Sequence, residues 1–349
     1  MSFAEAVAGL TALDRAAAAD AAALQDRLAK PRGALGRLEA VGIRLAAIAG
    51  TCPPPVPEPV VVAVFAGDHG VLTEGVTPWP QEVTAQMVAA FCAGGAAVNV
   101  LARHAGANVV VVDVGVVADL PPAPGLLLRK VRAGTANLAA GPAMTADEAL
   151  RALDVGAGVA FDAVAAGARG LVTGDMGIGN TTASAALIAA LTGRPAAEVT
   201  GRGTGIDDET FLRKIRLVEG AVSRAPDTGP LEVAAALGGL EIAALAGFIV
   251  GGAAARVPVV VDGVVALAGL LVAAALAPGC VDFCIAGHRS TEPGATAALQ
   301  HLGLDPLLDL GMRLGEGTGA LLAVPLVQAA AKVLREMATL DSAGVTSKE

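Results

Sequence analysis

The sequence predicts an α/β protein: a Rossmann-like, doubly wound, mainly parallel sheet, with a smaller helical domain formed from N-terminal and C-terminal segments. Three observations predict it. Short apolar runs recur along the chain, each ending in a polar, glycine-containing loop, with the length and β-branched content of strands buried on both faces. Helix-like stretches follow most of these runs, the alternation that builds a parallel sheet. Residues with chemistry to offer cluster just after the runs, at the edge where open α/β sheets bind ligands.

Residues 3–50 read as Ala-rich helix, broken by Lys30-Pro31-Arg32-Gly33. Residues 52–59, with five prolines, cannot be regular structure and make a stiff linker. The strand candidates follow. Residues 60–66 lead into Gly67-Asp68-His69-Gly70, and residues 108–112 into Asp113-Val114-Gly115-Val116. Residues 171–173 lead into Gly174-Asp175-Met176-Gly177, 257–261 into Asp262-Gly263, and 282–286 into Gly287-His288-Arg289-Ser290. A last helix is expected over about 321–337. The expected division is a helical segment at 1–50, an α/β nucleotide-binding domain at 60–310, a catalytic loop and C-terminal helix at 311–339, and a flexible tail at 340–349.

Composition narrows the partners. The chain is 54% hydrophobic with 44 glycines, one Trp and no Tyr, so small residues must pack helices closely onto the sheet. A net charge of −9 argues against nucleic acid or an anionic membrane surface. The four cysteines form no C-x-x-C pair and only four histidines accompany them, which disfavours a disulfide scaffold or a zinc ribbon. The N-terminus lacks the basic region of a secretory signal, and a cytoplasmic protein is expected. Residues 263–281 carry no charge over 19 positions until Asp282. Their Ala and Gly content and Pro278 suit a buried strand–loop–helix unit better than a membrane span.

Several loops carry chemistry. Gly174-Asp175-Met176-Gly177-Ile178-Gly179-Asn180-Thr181-Thr182 reads as strand, glycine loop, Thr cap and helix, which builds an anion site from backbone amides, a helix N-terminus and hydroxyls. It nearly spells a Walker A, but Asn180 stands in place of the Lys, which favours a monophosphate over a triphosphate. The competing reading is a tight strand–helix turn. A second glycine loop, Gly201-Arg202-Gly203-Thr204-Gly205, precedes a helical stretch containing Lys214. His69 reads as a hydrogen-bonded structural residue rather than a ligand. Trp79, between two prolines, either walls a flat ring ligand or is ordinary packing. In Gly311-Met312-Arg313-Leu314-Gly315-Glu316-Gly317-Thr318-Gly319-Ala320, one carboxylate sits among four glycines. Two readings of Glu316 stand open: a general base beside a ligand, its pKa raised by burial, or an acidic charge at the start of a helix.

Taken together, these motifs resemble the nicotinate-nucleotide:dimethylbenzimidazole phosphoribosyltransferase family. The resemblance runs from about residue 30 to 337. It includes Gly67-Asp68-His69-Gly70, Pro80-Gln81-Glu82-Val83-Thr84-Ala85-Gln86-Met87 and Gly94-Gly95-Ala96-Ala97-Val98-Asn99. It continues through Gly141-Pro142-Ala143-Met144-Thr145, Met176-Gly177-Ile178-Gly179-Asn180-Thr181-Thr182 and Arg313-Leu314-Gly315-Glu316-Gly317-Thr318-Gly319. So many ordered matches are specific where each alone is weak.

The resemblance implies transfer of 5-phosphoribose from nicotinate mononucleotide to 5,6-dimethylbenzimidazole or a related base in cobalamin lower-ligand assembly, by a homodimer using no cofactor and no metal. It implies Glu316 as general base. It assigns Asp175, Gly177, Ile178, Gly179, Asn180, Thr181, Thr182, Gly203 and Lys214 to the phosphoribose and nicotinate side, and Thr77, Trp79, Gln86, Met87 and Leu314 to the benzimidazole pocket. Two departures stand out. Asp175 occupies a position where the family often has Glu, and Trp79 one where a smaller aromatic is common. A nucleotide-binding module without catalysis and an NTP hydrolase are the competing readings, the second opposed by Asn180.

Overall fold

Six strands form one sheet in the order β3-β2-β1-β4-β5-β6 in the computed structural model, which describes residues 1–346. They are β1 (Val60–Gly67), β2 (Ala107–Gly115), β3 (Leu126–Leu128), β4 (Gly170–Met176), β5 (Val259–Val261) and β6 (Cys284–Ala286). Every strand pair is parallel. This is the doubly wound arrangement, in which the chain reverses its direction of travel across the sheet between β1 and β4.

Helices cover both faces. In chain order they are α1 (Phe3–Gly9), α2 (Arg15–Arg27), α3 (Arg37–Ala49), α4 (Glu82–Cys92), α5 (Ala97–Ala105), α6 (Ala146–Ala165) and α7 (Asn180–Thr192). Then come α8 (Ala196–Val199), α9 (Asp208–Ser223), α10 (Pro230–Leu237), α11 (Leu240–Ala254), α12 (Val264–Leu276), α13 (Pro293–Leu302) and α14 (Thr318–Glu336). All eight residues of β1 are buried, and alternate side chains serve opposite layers. Val61, Ala63 and Phe65 pack with the layer of α6, α7, α10, α11 and α12. Val60, Val62, Val64 and Ala66 pack with α4, α5 and α14. A strand covered on both faces has no polar face to signal, which is why these runs are continuously apolar.

The small-residue composition has a direct use where α6 crosses α11. A Cβ on Gly156 would stand 1.8 Å from the Ala244 carbonyl oxygen, and one on Gly247 would stand 2.0 Å from that of Leu153. The backbones touch, and only glycine permits it. Helix α12 lies within the uncharged stretch, and its residues Val264, Val265, Ala266, Leu267 and Ala268 are all buried in the protein core.

Strand limits differ from the sequence reading along the sheet: β5 and β6 begin two residues later than the runs at 257 and 282, at Val259 and Cys284. Gly174, Asp175 and Met176 belong to β4 rather than to a loop, because β4 pairs with β1 as far as Met176. Asp113, Val114 and Gly115 likewise belong to β2. Strand β3, with three residues, was not anticipated. No Thr caps α7: its N-cap is Gly179 at φ +95° with no side-chain cap bond. Near the C-terminus, the Leu340 N–H donates to the Arg27 carbonyl and the Val345 N–H to that of Leu340. Residues 347–349 of the expected tail lie outside the described residues.

Candidate active site

The reversal between β1 and β4 opens a crevice at the carboxyl edge of the sheet, because the loops after these neighbouring strands part in opposite directions. The segment after β1 brings Val76, Thr77 and Trp79 to one side. The loop after β4 brings Gly177, Ile178 and Gly179 to the other, and the chain after β5 and β6 adds Gly263, His288, Ser290 and Glu292. The open-mouthed cavity measures about 370 Å³, within the size range of small-molecule sites.

One end of the cavity is built for an anion. Asn180, Thr181 and Thr182 form the first turn of α7 and line the wall, where the positive end of the helix dipole favours negative charge. Lys214 reaches in from α9, 2% exposed, its Nζ donating to Thr181 Oγ1 at 2.8 Å and to the Gly201 carbonyl at 3.2 Å. Burial pushes its ammonium down to about 8, and the charge of Glu292 opposes that shift. Glu292 Oε1 accepts from the Gly203 N–H at 2.9 Å, so this carboxylate pins the second glycine loop beside Lys214. Thr182 Oγ1 is buried without a partner.

Asn180 has a definite task. Its Nδ2 donates to Asp175 Oδ2 at 3.0 Å. Burial holds the Asp175 carboxyl well above the usual carboxylate range, reinforced by the charges of Asp262 and Glu241 and then of Glu316, and opposed by the Asn180 hydrogen bond. In place of a Walker lysine the chain carries an amide that orients a carboxyl group.

At the far side of Asp175 the glycine loop carries Glu316. It sits at φ +64°, between Gly315 at +84° and Gly317 at +89°. A left-handed conformation in a residue with a side chain costs about 1 kcal/mol and clusters at functional sites. Glu316 is 5% exposed, and Oε2 has no hydrogen-bond partner. Burial raises its carboxyl to about 7, with the Val98 backbone amide opposing and the Asp262 charge adding to the rise. The flanking glycines make room for protein rather than for a ligand. A Cβ on Gly317 would meet the Thr173 carbonyl oxygen at 2.9 Å, and one on Gly319 would meet the His288 ring at 2.1 Å.

His69 takes the structural part expected of it. Its Nε2 lies 2.6 Å from Glu241 Oε1, with both side chains fully buried. Burial alone would lower the imidazole pKa, but the charge and hydrogen bond of Glu241 and the charge of Asp68 outweigh it and raise it. Among the described residues, no three His, Cys, Asp or Glu side chains group as a metal ion would require.

The structure therefore gathers Asp175, Gly177, Ile178, Gly179, Asn180, Thr181, Thr182, Gly203, Lys214, Thr77, Trp79, Met87, Leu314 and Glu316 around one cavity. Gln86 is the exception: it is exposed on α4 and does not line the wall. The sequence reading passed over Glu292, Ser290 and Arg313, which do. Arg313 Nη1 donates to the Gly203 carbonyl at 2.7 Å, tying the Glu316 loop to the second glycine loop. Glu292 had one visible signal, its place before Pro293 at the start of α13, where an acidic residue is ordinary.

The chain matches a family model described as phosphoribosyltransferase over residues 10–345. It is 57% identical to a nicotinate-nucleotide–dimethylbenzimidazole phosphoribosyltransferase of Salinispora tropica, with 98% of each chain covered. The enzyme of that name from Chloroflexus aurantiacus is 55% identical, with 96% of each covered. The crystal structure of the Thermus thermophilus enzyme superposes with a TM-score of 0.92 at 52% identity, covering 96% of this chain and 100% of that one. An anion cradle and a buried, unpaired carboxylate sharing one crevice suit the transfer of a phosphorylated sugar, and the chain belongs to the nicotinate-nucleotide–dimethylbenzimidazole phosphoribosyltransferase family.

Proposed function

We propose that the cavity moves 5-phosphoribose from nicotinate mononucleotide to 5,6-dimethylbenzimidazole or a related base, giving α-ribazole 5′-phosphate and nicotinate, with Glu316 as general base. The observation that carries this reading is the Glu316 carboxyl itself, buried, lacking a partner on Oε2 and held at about 7. A base poised near working pH is what proton removal needs. The phosphate sits at the first turn of α7 with Lys214 and Gly203, which leaves the ribose C1′ free to lie toward Asp175 and Glu316.

The chemistry balances without a general acid. The imine-type nitrogen of the benzimidazole attacks C1′, and the bond from C1′ to the pyridinium nitrogen breaks. The bonding pair returns to that nitrogen, which leaves as neutral pyridine. Positive charge passes to the benzimidazole, and its N–H proton goes to Glu316. Attack from the face opposite nicotinate inverts β to α. Until the proton is lost one ring carries a positive charge, and the Asp175 and Glu316 carboxyl groups that line the cavity are in place to meet it before the reaction begins. A cationic ring beside Asp175 favours its ionised form, so the donor itself helps to charge the site.

Trp79 at 48% and Leu314 at 58% exposure stand at the cavity mouth. We read them as the wall for the acceptor ring and as part of a face that a second copy covers in a cytoplasmic homodimer. The decisive test is metal-free incubation with nicotinate mononucleotide and 5,6-dimethylbenzimidazole, following nicotinate release, for wild type and Glu316→Gln. Transfer is expected to fall by about 10²–10⁴-fold in the variant while nicotinate mononucleotide still binds. Near-wild-type transfer in Glu316→Gln would remove Glu316 from this role.

A further inference from the structure

The turn that carries Glu316 is held by a group outside it. Asp262 follows β5 directly and is 1% exposed. Its Oδ2 accepts from the Gly317 N–H at 3.1 Å and its Oδ1 from the Ala320 N–H at 2.8 Å. These are the N-cap and third residues of the α14 start, and Gly317 offers no capping side chain of its own. Asp262 thus caps from the sheet a helix that its own N-cap leaves bare. Two N–H donors on two different atoms require two acceptor oxygens, which a carboxylate has and an amide lacks.

The cap is braced on both sides. The Asp262 N–H donates to Thr173 Oγ1 on β4 at 3.0 Å. The His288 ring packs against the cap, its Nε2 3.2 Å from Asp262 Oδ1 but outside hydrogen-bond geometry, and it fills the space that a side chain at position 319 would need. His288 also forms part of the cavity wall. Turning the Gly317 N–H toward the sheet edge goes with the run of positive φ values from Gly315 to Gly317.

We propose that Asp262 is a positioning residue, which by clamping Gly317 and Ala320 to the end of β5 holds Glu316 in its left-handed turn with the carboxylate facing the cavity, with His288 steadying Asp262. This inference rests on Glu316 being the base. It adds that a residue that touches no substrate sets the geometry of that base and adds to the rise in proton affinity that burial causes. The charged and titratable groups around Glu316 are Asp262 from the end of β5, Asp175 from β4, and His288 after β6. Glu241 and His69 stand behind Asp175.

Steady-state kinetics with nicotinate mononucleotide and 5,6-dimethylbenzimidazole on Asp262→Asn, His288→Ala and Glu316→Gln tests it. Asp262→Asn is expected to lose about 10²-fold in kcat through misplacement of the base, with KM for nicotinate mononucleotide little changed. The acidic limb of its kcat/KM profile is expected to move to lower pH, because the charge that raises the Glu316 carboxyl has gone. A lowered rate with an unmoved limb means a merely structural residue and overturns the proposal, as does wild-type kinetics in Asp262→Asn. Should Asp262→Asn fail to fold, His288→Ala must lower kcat more than it raises KM, and unchanged kcat there overturns the proposal equally. Full transfer by Glu316→Gln brings down the base assignment itself, a failure separate from these.

Discussion

The ammonium of Lys214 lies 2.8 Å from Oγ1 of Thr181, joining α9 to the first turn of α7, with the Lys214 side chain buried. A buried cation held by a hydroxyl and a carbonyl, with the Glu292 carboxylate occupied by a glycine amide, has charge to offer an anion in the proposed reading of the site. Replacing Lys214 with Met is expected to raise KM for nicotinate mononucleotide by about 10–100-fold, the value of a hydrogen bond to a charged group. The pH dependence follows. Burial lowers the Lys214 ammonium to about 8, so the charge that attracts phosphate is present below that pH and fades above it. KM measured across pH 7–9.5 is therefore expected to climb as pH rises through about 8 in wild type, and to stay flat in Lys214→Met.

Asp175→Glu restores the longer acid that the family often carries. Asp175 accepts from Asn180 on one side and faces the Gly315 Cα region on the other, where an added Cβ would stand 3.2 Å from Oδ2. One more methylene pushes the carboxyl toward the cavity, between the anion end and Glu316. The expected outcome is a changed order of preference among competing benzimidazoles, with the phosphate end of the site unaffected, so that KM for nicotinate mononucleotide keeps its rise above about pH 8. Competition assays with mixed acceptors check this, and an unchanged product ratio refutes it.

Stability should depend on the buried pair of His69 and Glu241. The folded-state pKa of His69 is raised, with the charge and hydrogen bond of Glu241 outweighing burial. A raised histidine contributes stability that is fully present below its unfolded pKa of about 6.5 and is lost as pH rises through the folded value. Glu241→Gln leaves the imidazole buried without its counter-charge and is expected to cost about 3 kcal/mol. Urea unfolding at several pH values should show wild type losing part of its advantage over the variant as pH rises above neutrality.

A control far from the cavity is Gly156→Ala at the α6–α11 crossing. The new methyl would fall 1.8 Å from the Ala244 carbonyl oxygen, so the helices must separate. Overpacking of this kind costs about 1–3 kcal/mol. Thermal denaturation is expected to show a lower Tm, while kcat at 25 °C stays near wild type because neither helix lines the site.

Much of this molecule is legible in its sequence. The run at 60–66 announces a doubly buried strand, and the Gly177-Ile178-Gly179 turn before an Ala-rich stretch announces the start of α7 at the end of β4. Strand β3 escaped because three leucines carry no period, and its partner residues Val111, Val112 and Asp113 lie elsewhere in the chain. The limits of β4 were missed because Gly174 and Asp175 have loop-like character, and only pairing with Val64 and Phe65 of β1 makes them strand. The family resemblance assigned Gln86 to the benzimidazole pocket, yet the turn of α4 that presents Met87 to the cavity leaves Gln86 exposed outside it.

What the sequence determined by itself was local: which segments bury both faces, where backbone must bend at glycine, and which family's motifs the chain carries. Hydrophobic period and φ/ψ preference act between near neighbours, so they can be read along the chain. Tertiary structure decided the rest. Lys214 meets Thr181 across 33 positions, Gly317 meets Asp262 across 55, and Gly203 meets Glu292 across 89. It also decided the proton affinity of Glu316, whose carboxyl rises to about 7 only because the folded chain excludes water from it and sets another carboxylate nearby.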